Sequence, residues 1–185
     1  MECKLSFTIA VIALLGSAVK INARFVTISS KLRSDSDLDN LIKVNLSQGN
    51  HQSGQLRVRC NGILTRDRQA RFKILPVPNK QSGMKCIQFL TNNEEYALKA
   101  INDGSQWKLV FERQECSSAY GPFLFNETKR GGDYSWEASG VGMYLSCPAD
   151  DQAMLSLITV QDASEDTRIK FSYRFIRNRR TRNHH

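Results

Sequence analysis

Nucleophile–base catalysis needs a histidine held inside the fold, and this sequence places its three histidines poorly for that task. His51 lies in the polar stretch 49–52, and His184 and His185 end the chain. The acidic residues could in principle supply a catalytic carboxylate pair, but no two of them stand out by their spacing. There is also no phosphate-binding loop. The sequence therefore predicts a protein that is not an enzyme and uses no cofactor.

Cysteine is the other residue type that could do chemistry here. Cys3 belongs to an N-terminal segment interpreted below as a signal peptide, which leaves an even number of cysteines: Cys60, Cys86, Cys116 and Cys147. An even number is typical of disulfides in an oxidising compartment. No CxxC spacing occurs, so we expect no metal site. Four cysteines allow three pairings, which the sequence does not distinguish, and buried free thiols are the alternative.

Two surface features suggest modification or binding. Asn45 and Asn126 each begin an Asn-x-Ser/Thr triplet and are candidate glycosylation sites. The net charge is +8, and much of the excess lies in a basic C-terminal tail, residues 177–185, with the candidate polyanion-binding residues Arg177, Arg179, Arg180 and Arg182. A solvated chain end is the plain interpretation of this tail. Contact with heparin-like polysaccharide is the functional one.

Residues 1–23 have the organisation of a secretory signal peptide. A positive start precedes an apolar run over residues 5–15, and small residues then permit cleavage after Ala18 or Ala23. The run is shorter than the roughly 20 residues that span a bilayer. We therefore expect a secreted, extracellular protein without membrane insertion, a single folded domain over residues 24–176, and no nucleic-acid partner.

Beyond residue 23 the recurring pattern has the period of two that is typical of β-strands. It is clearest in 169–175, where Ile169, Phe171, Tyr173 and Phe175 alternate with polar residues. About twelve such segments occur, separated by turns rich in Asn, Asp and Gly. Twelve strands divide into three sets of four, which predicts an all-β protein with the β-trefoil fold. An immunoglobulin sandwich would need fewer strands.

The segment 136–147 carries a family resemblance. It is similar to the interleukin-1 family signature, Phe-Glu-Ser-Ala followed by Pro-Gly, an aromatic residue and Phe-Leu. The matching positions here are Trp136, Glu137, Gly142, Tyr144 and Leu145. Trp136 replaces Phe, Val141 replaces Pro, and the segment is one residue shorter. The hairpin sequence 82–101, the segment 121–126 and the closing strand 169–175 also resemble the family, in the same order.

The resemblance implies a monomeric cytokine in immune or inflammatory signalling, with a receptor that has an immunoglobulin-like ectodomain. In this family an agonist recruits an accessory receptor chain, and the receptor antagonist does not. At the position of Lys170 an agonist carries Asp and the receptor antagonist carries Lys, so we lean towards an antagonist. The acidic loop 161–167 lies near the accessory receptor in the family, which makes Asp162, Glu165 and Asp166 further candidate contacts.

The resemblance also favours Cys86 and Cys147 as the first disulfide pair, because both lie in or beside segments that carry cysteines in the receptor antagonist. Three alternatives remain beside the antagonist. The first is an agonist of the same family. The others are a heparin-binding trefoil like the fibroblast growth factors and a trefoil protease inhibitor.

Overall fold

The computed structural model describes residues 24–32, 41–50, 54–62, 68–77, 83–148 and 154–176. The predicted signal peptide and the basic tail lie outside these residues. Twelve strands follow one another: β1 (Val26–Ser30), β2 (Leu41–Asn50), β3 (Gln55–Gly62), β4 (Phe72–Pro76), β5 (Met84–Thr91), β6 (Glu94–Asn102), β7 (Trp107–Arg113), β8 (Phe125–Arg130), β9 (Asp133–Ala138), β10 (Tyr144–Ser146), β11 (Ser156–Ile158) and β12 (Phe171–Phe175). Four short 3-10 helices interrupt them: Arg68–Ala70, Cys116–Ser118, Gly121–Phe123 and Thr167–Ile169.

Six of the strands close into an antiparallel barrel. The pairs run in a circle, β1–β4, β4–β5, β5–β8, β8–β9, β9–β12 and β12–β1, so no barrel strand is left as an edge. The other six form the hairpins β2–β3, β6–β7 and β10–β11. Each hairpin leaves and re-enters the barrel at the same end. This arrangement is the predicted β-trefoil.

The opposite end of the barrel has no hairpins over it and is called the barrel mouth below. There the first residues of β1, β5 and β9 meet the last residues of β4, β8 and β12. The chain within the described residues begins and ends at this mouth, where the Ile176 amide donates to the Phe25 carbonyl at 2.9 Å.

A threefold pattern organises the core. Phe72, Phe125 and Phe171 each begin the fourth strand of a repeat, and all three are fully buried. Their register partners on the neighbouring strands β1, β5 and β9 are, in the same order, Val26, Lys85 and Tyr134. Aromatic contacts tie this layer to its neighbours, with the Phe72 and Phe111 rings stacked at 5.7 Å. Burying one such side chain contributes about 1.5–3 kcal/mol, so this layer is a main source of stability.

A smaller apolar cluster lies outside the barrel. The chain between β7 and β8 packs over β5 and β6 and buries Cys116, Phe123 and Leu124 against Cys86 and Ala97. Among the described residues no helix is long and apolar enough to cross a membrane.

Candidate functional site

Lys170 is held at a fixed position between the last 3-10 helix and β12. The residues on either side, Ile169 and Phe171, are fully buried and anchor the backbone. The Lys170 carbonyl accepts a hydrogen bond from the Lys31 amide at 2.9 Å, which joins this segment to the end of β1. Lys170 is half-buried, so part of its surface is open to a partner.

The acidic loop before Lys170 is shaped by its own carboxylates. Asp162 accepts hydrogen bonds from the amide and the hydroxyl of Ser164, at 2.7 and 2.6 Å. Asp166 caps the 3-10 helix by accepting from the Arg168 amide at 2.9 Å, and it also binds the Arg168 guanidinium at 2.6 Å. Two of the three predicted acidic residues therefore build the loop. Glu165 is exposed between them.

The electrostatics show that the predicted residues lie together. The Ser164 hydrogen bonds hold the pKa of Asp162 below its usual value, and the positive charges of Arg130 and Lys170 lower it further. Hydrogen bonding from Arg168 lowers the pKa of Asp166, and Lys170 adds to that effect. Lys170 is thus within electrostatic reach of both carboxylates, and both are ionised at neutral pH.

Sequence reasoning missed three further members of this surface. Lys31 forms an ion pair with Asp133 at 3.3 Å, and Asp133 follows Arg130 across the β8–β9 turn. In the sequence, the segment 130–133, Arg-Gly-Gly-Asp, has only the composition of a turn. The pairing of β12 with both β1 and β9 in a trefoil was the signal that could have found them. We call this surface the charged rim, which comprises Lys31, Arg130, Asp133, Asp162, Asp166 and Lys170.

The charged rim presents ionised groups of both signs on one surface. Such an arrangement can form complementary charge pairs with a charged partner. Within the part of the chain that the structure describes, no three His, Cys, Asp or Glu side chains are grouped so that they could hold a metal ion.

The family-signature segment has a structural role. Trp136 and Leu145 are fully buried in the core, and Glu137 pairs with Tyr144 where β9 meets β10. Burial, helped by the nearby charge of Glu137, raises the pKa of Tyr144. Gly142 has a φ of +71° in the connecting turn, a conformation that glycine adopts without strain.

The disulfides correct one prediction and confirm another. The four cysteines within the described residues are all paired, but as Cys60–Cys147 and Cys86–Cys116, each with a Cα–Cα distance of 5.7 Å. The predicted Cys86–Cys147 pair is wrong because its members belong to different clusters. Cys147 lies with Cys60 in the barrel core, whereas Cys86 lies in the outer cluster with Cys116. A disulfide needs its Cα atoms within about 7 Å, and both observed pairs meet that limit.

The remaining predicted sites are less well defined by the structure. Asn45 and Asn126 are half-buried residues within β2 and β8. The predicted polyanion-binding arginines, Arg177, Arg179, Arg180 and Arg182, lie outside the described residues.

Comparison with known proteins identifies the fold alone. No protein-family model and no curated protein sequence matches the chain. Solved structures do match. A designed threefold-symmetric protein, ThreeFoil, has a TM-score of 0.60 and 10% identity, with 80% of this chain and 96% of that chain covered.

Two natural structures are similar at the same level. A salivary protein from Culex quiquefasciatus, of the Cysteine and Tryptophan-Rich family, has a TM-score of 0.55 and 11% identity, covering 82% of this chain and 92% of that one. A Polyporus squamosus lectin, bound to the epitope Neu5Aca2-6Galb1-4GlcNAc, has a TM-score of 0.58 and 7% identity, covering 83% of this chain and 49% of that one.

Proposed function

We propose that this protein is a secreted, non-catalytic ligand of the interleukin-1 family that binds a receptor with an immunoglobulin-like ectodomain through the charged rim. One observation carries the proposal. Asp162 and Asp166 both lie within electrostatic reach of Lys170, and the family resemblance assigns all three to receptor contacts. Loops on a rigid barrel are well suited to present such contacts.

Two features support an extracellular location. Both disulfides close within the folded domain, and disulfides of this kind persist in oxidising compartments. The N-terminal sequence has the organisation of a signal peptide.

The charge of Lys170 supports an antagonist over an agonist. Lysine at this position is positively charged, whereas the aspartate of an agonist is negatively charged. An accessory chain that is complementary to the aspartate would be repelled by the lysine, while the primary receptor could still bind. The nearby Asp162 and Asp166 leave the rim with charges of both signs. Replacing Lys170 by aspartate would make this part of the rim predominantly acidic.

Binding of the purified protein to interleukin-1-type receptor ectodomains, with and without accessory chains, tests the proposal. We expect one primary receptor to bind and the accessory chain not to join. Lys170→Asp should then allow the accessory chain to join, whereas Lys43→Asp, at a half-buried strand lysine of β2, should not. A ternary complex with the unmodified protein would identify an agonist. Binding to no ectodomain would refute the receptor assignment.

A further inference from the structure

Basic side chains outnumber the carboxylates of Glu127 and Asp133 at the barrel mouth, and Asp133 is already paired with Lys31. They come from five different parts of the barrel wall: Arg24, Lys73, Lys85, Lys129 and Arg174. Among the described residues, only Lys85 of these five faces a carboxylate, with its Nζ 3.9 Å from Oε1 of Glu127. Cations grouped in this way attract an anionic partner and raise its local concentration.

Aromatic rings hold two of these cations in place. The Lys73 ammonium lies 5.1 Å from the centre of the Phe25 ring, and the Lys129 ammonium lies 5.5 Å from that of Tyr134. A cation–π contact orients an ammonium without neutralising it. Neither ammonium is therefore neutralised by its ring contact.

A cavity of about 150 Å³ opens at the centre of the mouth. Arg24 and Lys85 line it together with Glu127, Tyr173 and Phe175. Burial, followed by a hydrogen bond with Tyr134, raises the pKa of Tyr173, so this phenol is uncharged at neutral pH. Among the residues that line this cavity, Glu127 is therefore the one negative charge, beside the positive charges of Arg24 and Lys85.

Phe175 gives the mouth an apolar contact surface. Its side chain is 60% exposed, and its ring meets that of Tyr173 edge to face at 5.9 Å. The faces of aromatic rings pack well against the C–H face of a pyranose, since both are apolar. Cations beside an exposed aromatic ring therefore match an anionic sugar better than they match an isolated inorganic anion.

We propose that the barrel mouth binds a sulfated polysaccharide of the glycosaminoglycan type, with an anionic group at Arg24 and Lys85 and a sugar ring against Phe175. The chain leaves the mouth at Ile176, and the arginines of residues 177–182 follow directly in sequence. The mouth borders the charged rim at Arg130 and Asp133, where β8 ends and β9 begins. The proposed contacts, Arg24, Lys85 and Phe175, are not rim residues, so this site does not depend on the receptor proposal.

Matched double variants test the site with heparin as the probe. Arg24→Gln with Arg174→Gln removes two exposed charges at the mouth, and Arg57→Gln with Arg68→Gln removes two exposed charges elsewhere. We expect the mouth double to bind heparin roughly 10-fold more weakly near physiological salt. The slope of its log affinity against log salt concentration should be shallower by about one unit for each arginine removed. The control double should bind nearly as well as the unmodified protein. Equal weakening in both doubles would overturn the proposal.

Two further variants separate sugar recognition from charge alone. Phe175→Ala should weaken heparin binding without changing its salt dependence, because it removes an apolar surface only. Glu127→Gln should strengthen binding, because it removes the one anion that opposes the ligand. If deleting residues 177–185 abolishes binding while the mouth double has no effect, the tail alone is the site and the proposal fails. Equally tight binding of desulfated heparin would also overturn it.

Discussion

The carboxylate of Glu127 accepts a hydrogen bond from the indole nitrogen of Trp136 at 3.2 Å, where the core of the barrel meets its mouth. Trp136 is fully buried, so water does not reach its N–H group. The Glu127 side chain is only 13% exposed and also faces Lys85. This one carboxylate therefore satisfies a buried donor and sets the charge inside the mouth.

Removing that carboxylate should destabilise the protein in a way that depends on the replacement. Glu127→Ala leaves the buried indole N–H without an acceptor, which should lower the free energy of unfolding by about 1–3 kcal/mol. Glu127→Gln keeps an acceptor oxygen and should cost less. Urea unfolding at pH 7 measures both. Equal destabilisation by the two variants would show that the ion pair with Lys85, rather than the hydrogen bond, carries the effect.

Truncating any one of the three phenylalanines of the threefold core layer should lower the free energy of unfolding by a similar amount. Phe72→Ala, Phe125→Ala and Phe171→Ala each leave a cavity in the core, and each should lower the free energy of unfolding by about 3–5 kcal/mol. Tyr120→Ala is the control, because its ring is 56% exposed, and it should cost less than about 1 kcal/mol. Urea unfolding curves compare the four variants. A much smaller effect at one phenylalanine would show that the three repeats do not share the core equally.

The fold could be predicted from the sequence because alternation reports the faces of strands, and β12 shows how far that signal extends. The predicted strand 169–175 begins two residues too early, because Ile169 ends a 3-10 helix and β12 starts at Phe171. Phe171, Tyr173 and Phe175 alternate along β12 as predicted, but only Phe171 of these three is fully buried. β12 ends at the mouth. The side of the strand that faces the core at its first residue therefore lines the cavity at its last residues. The alternation of apolar and polar residues therefore predicts which way a side chain faces, and it does not predict how deeply that side chain is buried.

The sites were harder to predict because they depend on contacts distant in sequence. The threefold equivalence of Val26, Lys85 and Tyr134 cannot be seen in the sequence, since the three side chains differ in chemistry. The cysteine pairing likewise depends on which cluster each cysteine joins. Cys60 and Cys147 are 87 residues apart, and only the closed barrel brings them together.

The two disulfides should contribute unequally to stability. The Cys60–Cys147 bond spans 87 residues and the Cys86–Cys116 bond spans 30. In the chain-entropy account the longer loop restricts the unfolded state more, so its double alanine variant should lose about 1 kcal/mol more than the other. Urea unfolding of the two double variants measures this difference. Mass spectrometry of a non-reduced digest checks the pairing itself, and a peptide linking Cys86 to Cys147 would contradict the structure.

The acidic loop of the charged rim should make stability depend on pH below about 4. The pKa values of Asp162 and Asp166 are lower in the folded protein than the roughly 3.9 of an unfolded aspartate. Their contribution is therefore complete above that unfolded value and is lost as the pH falls through the folded pKa values.

Substitution of both aspartates should remove part of this dependence. Asp162→Asn with Asp166→Asn should lower the unfolding midpoint at pH 5 and reduce its further fall towards pH 2, because the asparagines cannot be protonated. Thermal unfolding followed by circular dichroism across this range measures the change. Glu165→Gln is the control, since this exposed residue has no hydrogen bond or ion pair to the part of the chain that the structure describes. If the control flattens the profile as much, net charge rather than the hydrogen-bonded turns accounts for the acid sensitivity of the rim.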